Sequence, residues 1–291
     1  MEKIAIITGA NNGLGFELTK ELAIRGYKII MACRDQKRAN NARNEILKIT
    51  TIKPENLIVK ILDLSKFSSI IKFTNDFITE GIPIELLVNN AGIMDVNFAL
   101  TEDNNELVFQ TNYLGHFILT LKLLPLITKK IVNVCSLAAN FGNLDIDNLQ
   151  QFDKDHYNKS LAYKNSKLAN LMFSNELANR LKDKGSPIIS VAAHPGYTKS
   201  GIVNNNSSGL GIFYAIGNSI LAQTAKKGII PILYACICDV KSGDYYGPSG
   251  CCELFGNSPK LIIKPANKQL KDKELSKSLW NKTCEITNIK F

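Results

Sequence analysis

Short apolar runs alternate with polar stretches that carry apolar residues at helical spacing. Ile4-Ala5-Ile6-Ile7 reads as a buried strand; Leu14, Leu18 and Leu22 then recur every fourth position, and Gly26 supplies a helix stop. Tyr27 to Ala32 is the next strand and Gln36 to Ile49 a polar helix. Leu57 to Leu62 is a third strand, followed by a helix around Ser65 to Thr79, and Leu86-Leu87-Val88 is a fourth. A long helix is expected over Asp103 to Ile127, ending near Pro125. Ile131 to Cys135 is the fifth strand, and Ser160 to Lys182 a strongly amphipathic helix built on Leu168, Leu171, Met172, Phe173, Leu177 and Leu181. Ile188 to Ala192 is a sixth strand. A helix near Leu221 to Val240 and a short strand at Asp244 to Tyr246 complete the pattern.

Strands separated by helices imply a mostly parallel sheet covered on both faces. Right-handed crossovers make it a doubly wound Rossmann sheet, here of seven strands in a three-layer α/β/α arrangement. No internal repeat or linker divides the chain, so residues 1–291 are read as one nucleotide-binding domain. Two segments break the rhythm, near 140–159 and 197–217. The first is polar; the second contains Asn204-Asn205-Asn206-Ser207-Ser208-Gly209. Long loops of a compact domain often carry function, which makes both candidates for facing a substrate. Phe141, Phe152, Ile202, Ile212, Phe213 and Tyr214 make an apolar substrate the expectation.

Composition narrows the function classes. With 45% hydrophobic and 21% charged residues the chain is an ordinary globular protein rather than a disordered one. Its net charge of +9 is spread along the sequence, and the densest stretch, Lys260 to Lys290, is broken by Asp272, Glu274 and Glu285. No basic motif interleaved with aromatics appears, so a solvated surface is expected rather than a nucleic-acid site. The seven cysteines form no pair of metal-binding doublets, and no metal is expected. Free thiols imply a reducing, cytoplasmic setting. A strand begins at Ile4, so no signal peptide is expected. The longest apolar stretch, Gly211 to Cys238, is interrupted by Gln223, Lys226, Lys227 and Pro231, and no transmembrane segment is expected. Peripheral membrane contact and assembly into homo-oligomers stay open.

The first strand runs into Thr8-Gly9-Ala10-Asn11-Asn12-Gly13-Leu14-Gly15, and a helix follows. Glycines at such a turn let backbone approach a pyrophosphate, and the helix N-terminus favours its negative charge. The strand–turn–helix context at the start of a βαβ unit gives the motif its weight. Further along stand Asp63-Leu64, Asn89-Asn90-Ala91-Gly92, Asn112 within Thr111-Asn112-Tyr113-Leu114-Gly115-His116-Phe117, Cys135-Ser136, Tyr163-x-x-x-Lys167 and Pro195-Gly196. Tyr163 and Lys167, four apart, share one helix face.

In this order and spacing the chain resembles the short-chain dehydrogenases/reductases over nearly its whole length. Met31-Ala32-Cys33-Arg34-Asp35, Leu114-Gly115-His116-Phe117 and Ser166-Lys167-Leu168-Ala169-Asn170 are similar to the retinol-dehydrogenase-like and WW-domain-oxidoreductase-like branch. The resemblance implies an oxidoreductase that passes hydride between nicotinamide and a carbonyl or alcohol. It makes Tyr163 the acid/base, Lys167 its partner and a holder of ribose, Ser136 a donor to the substrate oxygen, and Asn112 the support of a water-linked proton path to Lys167. It implies cofactor contacts at Gly9, Asn11, Asn12, Gly13, Leu14, Gly15, Asp63, Leu64, Asn90, Ala91, Gly92, Tyr163, Lys167, Pro195, Gly196, Thr198 and Ser200. A catalytically silent nucleotide-binding regulator and a protochlorophyllide-type photoreductase are the competing readings; loss of Tyr, Lys or Ser would mark the first, and none is lost.

The second strand ends at Cys33-Arg34. A carboxylate there would accept bonds from a ribose 2′-hydroxyl and repel a 2′-phosphate. Its absence, with a guanidinium next along, favours NADP(H) over NAD(H). Asp35 is an alternative partner for Arg34. His116 and His194 are assigned to packing or backbone hydrogen bonding.

Overall fold

The computed structural model describes residues 2–198, 223–263 and 265–291. Strand β1 (Ile4–Thr8) leads to helix α1 (Gly13–Ile24), β2 (Lys28–Cys33) to α2 (Gln36–Ile49), and β3 (Leu57–Ile61) to α3 (Phe67–Glu80). After β4 (Ile84–Asn89) come a helical turn at Leu107–Phe109, a π turn at Gln110–Leu114 and α4 (Gly115–Leu123). Then follow β5 (Ile127–Val134), α5 (Lys159–Asp183), β6 (Ile189–Ala193), α6 (Ala225–Gly228), α7 (Ile230–Ile237), β7 (Tyr245–Pro248), β8 (Pro259–Leu261) and α8 (Lys273–Thr287).

The strands form one sheet in the order β3-β2-β1-β4-β5-β6-β7-β8. All neighbours are parallel except β7 and β8, which are antiparallel. Every residue of β1 is buried, as expected for a strand covered by helices on both faces. Two apolar cores follow, one per face: Ile6, Phe73, Phe117, Leu168 and Trp280 belong to one, and Ile7, Leu18, Met31, Val132 and Ile232 to the other. The winding reverses between β1 and β4, and in doubly wound sheets the crevice beyond the strand ends at that reversal is where ligands bind.

The structure corrects the sequence reading in five places. The sheet has eight strands, not seven, because Pro259–Leu261 adds an antiparallel edge. The helix expected from Asp103 begins only at Leu107: Asn104 adopts a left-handed φ of 58°, and the Glu106 carboxylate accepts from the N–H groups of Val108 and Phe109. Within the segment expected as one helix over Leu221 to Val240, α6 and α7 are separate short helices; Pro231, which has no N–H, stands in the first turn of α7. Helix α5 is buried nearly all round from Asn165 to Glu176 rather than amphipathic, because the sheet lies on one side and α8 on the other. Helix α8 was not anticipated. The Asp272 side chain caps it by accepting from the Leu275 N–H, and its Trp280 docks between Phe117 and Phe173 at ring distances of 5.0 and 5.8 Å.

Candidate active site

The ends of the six strands β1 to β6 supply the site. At the end of β1, Gly9 takes a φ of +65° and Gly13 one of +52°. A Cβ on Gly9 would lie 3.0 Å from Ala91 Cα, so the turn presses directly on the loop after β4. No side chain caps the N-terminus of α1 at Asn12, and no carboxylate sits in its first turn. This leaves Gly13, Leu14 and Gly15 at a helix start with unclaimed partial positive charge, which fits a pyrophosphate. Asn11 is half-buried and Asn12 exposed at the lip of the turn.

Asn90 ties β4 back to this turn. Its Nδ2 donates to Thr8 O at 2.8 Å, and the backbone N–H groups of Asn90 and Ala91 both donate to Thr8 Oγ1 at 2.9 Å. A Cβ on Gly92 would meet Asn112 Oδ1 at 3.3 Å and Lys167 Nζ at 3.5 Å, so Gly92 lies between these two candidates. Asp63 closes the β3 end, its carboxylate accepting from the Ser65 N–H and hydroxyl. Leu64 is buried, and its carbonyl lies where a side chain on Gly115 would project.

Arg34 is exposed at the end of β2 and is paired with no carboxylate among the described residues. Asp35, its alternative partner, instead caps α2 by accepting from the Arg38 N–H at 2.9 Å. Cys33 is buried, with its thiol turned toward the backbone N–H groups of Ala10 and Asn11; burial pushes it up to about 11. Cys33 therefore adds no negative charge beside Arg34, and the Asp35 carboxylate is engaged at the start of α2 rather than with the guanidinium.

Ser136 and Tyr163 stand near each other. Ser136 follows β5 and caps a short 3-10 turn at Leu137–Phe141; its hydroxyl oxygen accepts from the Ala138 N–H, and its side chain is near enough to Tyr163 to pull the phenol's pKa down. Tyr163 sits in the first turns of α5, partly exposed. Burial raises its pKa and Ser136 opposes that rise, so the phenol is protonated at neutral pH. Lys167 Nζ lies 5.8 Å from the Tyr163 ring centre and donates to Val134 O at 3.1 Å. Burial lowers its pKa. Buried Cys135, beside it, is pushed up to about 12 and is an inert packing thiol.

Asn112 lies in the π turn. Its Oδ1 accepts from the Ile93 N–H, and its Nδ2 donates to Ile93 O and to Ser166 Oγ, at 2.8 to 3.0 Å. It thus fastens the loop after Gly92 to the helix that carries Tyr163 and Lys167. The polar 140–159 segment is anchored too. Tyr157 donates to the Glu106 carboxylate, Gln150 bridges Glu106 and Asn105, and Phe98 stands edge-on to Tyr157 at 5.4 Å.

Pro195 is buried, and Gly196 turns with a φ of +72°. Three contacts hold this turn; the sequence reading anticipated a backbone hydrogen bond for His194 but missed the parts played by Gln223 and Gly228. His194 Nδ1 accepts from the Gly196 N–H at 3.1 Å, with its Nε2 3.4 Å from the Glu253 carboxylate. Gln223 Nε2 donates to Pro195 O. Gly228 lets α6 approach so closely that a Cβ there would fall 2.3 Å from the Thr198 methyl and 3.0 Å from Leu14. Thr198 pairs with Gln223 in an isolated parallel bridge. Ser200, the Asn204 to Ser208 tract and the apolar Ile202, Ile212, Phe213 and Tyr214 lie outside the described residues. Among the described residues no group of three metal-ligating side chains occurs, and no helix is long and apolar enough to cross a membrane. Cys33, Cys135, Cys236, Cys238 and Cys284 are free thiols.

Residues 3–147 match the family model for short chain dehydrogenase. Human retinol dehydrogenase 11 is 33% identical over 294 residues, covering 99% of this chain and 86% of that protein. The chain belongs to the short-chain dehydrogenase family. This short-chain dehydrogenase is also 38% identical to human retinol dehydrogenase 14 over 296 residues, 96% of this chain and 84% of the other. Among solved structures, an uncharacterized protein from Mycobacterium paratuberculosis superposes with a TM-score of 0.82 at 34% identity, covering 99% of this chain and 94% of that one. The branch expected from Met31 to Asp35 and Leu114 to Phe117 is the one these relatives occupy.

Proposed function

We propose that this short-chain dehydrogenase is an NADP(H)-dependent oxidoreductase that interconverts a carbonyl and an alcohol, with Tyr163 as the acid/base. The observation that carries the reading is the convergence of Ser136 and Tyr163 beside a buried Lys167, whose Nζ lies 5.8 Å from the Tyr163 ring centre. A bound nicotinamide supplies or takes up the hydride. The turn at Gly9, Asn11, Asn12, Gly13, Leu14 and Gly15 would hold its pyrophosphate. Asp63 and Leu64 would border the adenine, Asn90, Ala91 and Gly92 the ribose side, and Pro195, Gly196 and Thr198 the carboxamide side.

In carbonyl reduction the protonated Tyr163 phenol donates its proton to the substrate oxygen, and the Ser136 hydroxyl donates a second hydrogen bond to that oxygen. In alcohol oxidation the phenolate form removes the hydroxyl proton. The Lys167 ammonium, close to the ring, favours that phenolate electrostatically and lowers the cost of forming it. Lys167 would also bind ribose hydroxyls. Arg34, exposed and paired with no carboxylate among the described residues, would bind the 2′-phosphate by charge-assisted hydrogen bonds.

The retinol dehydrogenases among the relatives make an apolar primary alcohol or its aldehyde the first substrate class to try. The test is a panel of aldehydes and ketones followed by loss of NADPH absorbance, with NADH in parallel. Turnover of at least one apolar aldehyde with NADPH is expected. Binding of NADPH with no turnover across the panel would instead favour a regulator that keeps the fold without the chemistry.

A further inference from the structure

His116 is fully enclosed where the cofactor turn, the loop after β4 and the catalytic helix meet. Its Nε2 lies 2.9 Å from Thr8 Oγ1 and its Nδ1 lies 2.8 Å from the backbone oxygen of Asn112. Counting protons fixes the direction of both bonds. A threonine hydroxyl has two acceptor lone pairs and one proton to give. Both acceptor positions on Thr8 are taken, by the N–H groups of Asn90 and Ala91. Its own proton must therefore go out, and the nearer of its two acceptors is His116 Nε2, since Val88 O is 3.4 Å away. Nε2 is then bare, the ring proton sits on Nδ1, and Nδ1–H donates to Asn112 O.

The Asn112 carbonyl also accepts from Asn170 Nδ2 at 3.0 Å. Asn170 is one turn along α5 from Lys167, and the Asn112 side chain bonds Ser166 on the same helix. One directed chain thus runs from the N–H groups of Asn90 and Ala91 through Thr8 and His116 to Asn112, where α5 joins it. Asn112 is thus a hub joining the loop after β4, the His116 ring and α5.

We propose that His116, locked as the Nδ1–H tautomer, is a positioning residue: a strut that sets the spacing between the pyrophosphate turn and the helix bearing Tyr163 and Lys167. This rests on the hydride-transfer reading for its consequence in catalysis, but not for its geometry. A rigid ring bonded at both ends is suited to this, because small misplacements of reacting groups are costly. His116→Asn keeps an amide nitrogen near the Nδ1 position but cannot reach Thr8. Thr8→Val removes the same bond from the other side, along with the acceptor for Asn90 and Ala91. Thr8→Ser keeps the hydroxyl.

The first measurement is the nitrogen-15 NMR spectrum of the histidines in the full-length wild-type protein at neutral pH. A neutral His116 with its proton on Nδ1 is expected; a proton on Nε2 overturns the proposal. The second is NADPH affinity and kcat across the variants. His116→Asn is expected to weaken NADPH binding by up to about tenfold, the scale of one neutral hydrogen bond, and to lower kcat as well. The double variant His116→Asn with Thr8→Val should bind no worse than Thr8→Val alone, and Thr8→Ser should match wild type. Losses that multiply in the double variant would mean that Thr8 and His116 act independently, and the strut would fall. Failure of the functional reading looks different: wild type would bind neither NADPH nor NADH, while the tautomer would still decide the strut.

Discussion

A Cβ on Gly15 would lie 2.2 Å from the carbonyl oxygen of Gly9 and 2.7 Å from Asn90 Nδ2. The first helical turn of α1 is thus laid directly against the turn that precedes it, with no space for one methyl group. Gly15→Ala must push backbone apart at the point where a pyrophosphate would rest. We expect it to weaken NADPH binding by at least about a hundredfold, the scale of losing more than one charge-assisted contact, with a lower Tm besides. Titration of NADPH by fluorescence checks this; affinity within threefold of wild type would mean that the turn can open without consequence.

The proposed roles of Tyr163 and Lys167 separate by experiment. Tyr163→Phe removes only the phenolic hydroxyl, whose pKa Ser136 lowers. It should leave NADPH affinity nearly unchanged and lower turnover on an active substrate by roughly a hundredfold or more, the scale of general acid–base catalysis. Lys167→Ala should lower turnover and weaken NADPH binding together, since the ammonium is assigned to ribose as well. Near-normal turnover in the first variant, or unchanged cofactor affinity in the second, would remove the respective role.

The proposed preference for NADPH turns on Arg34. Its guanidinium stands exposed while Asp35 is occupied at the start of α2. Wild type should bind NADPH more tightly than NADH, and Arg34→Ala should weaken NADPH by about ten- to a hundredfold while changing NADH little. Cys33→Asp combined with Arg34→Ala should reverse the preference. The wild-type preference should shrink as salt rises, because the rim faces solvent. Equal weakening of both cofactors by Arg34→Ala would place the 2′-phosphate elsewhere.

Acid should loosen this protein before its carboxylates titrate. Burial lowers His116 from an ordinary value near 6.5 to about 4, with Lys167 adding to the shift, and burial also lowers His194 against the opposing pull of Glu253. Above pH 6.5 both states leave these rings neutral. Between 6.5 and about 4 the unfolded chain takes up protons that the native His116 refuses, so stability falls with pH and the loss is complete below the folded pKa. For His116 the full loss is on the order of 3 kcal/mol. Urea midpoints measured at pH 7.5, 6 and 5 should decline in turn, and less steeply in His116→Asn. A flat midpoint across that range would contradict the assignment of a neutral buried ring.

Much of the architecture was legible because strands buried on both faces write themselves as unbroken apolar runs, as Ile4 to Ile7 and Leu86 to Val88 do. The glycine turn after β1 and the placing of Tyr163 and Lys167 one turn apart on a helix were legible because the proposed chemistry needs fixed residue types at fixed offsets. Side-chain capping hid the start of the helix after β4, since nothing local announces that Glu106 will fold back onto Val108 and Phe109. Helix α8 was hidden by its composition: Leu279, Trp280 and Thr283 are its buried face, set among lysines that read as surface. The bonds of Thr8 to His116 and of Asn112 to Asn170 join residues 108 and 58 apart. Each residue type is common, so only the fold that unites them gives the pairing meaning.

The aromatic cluster of Tyr113, Phe117, Phe173 and Trp280 has a consequence for the order in which the molecule is made. Tyr113 and Thr283, whose hydroxyls bond at 2.7 Å, are 170 residues apart. A ribosome has therefore delivered every strand of the sheet before Trp280 exists to cover Phe117 and Phe173. Until then the nascent protein carries a set of aromatic rings facing water on the outer side of α5. Such transiently bare apolar surface is what holding chaperones recognise and what drives misassembly between chains. The final docking of α8 is thus the step at which the growing polypeptide stops being sticky, and a premature stop just ahead of Trp280 would yield a chain that has every strand of the sheet and aggregates.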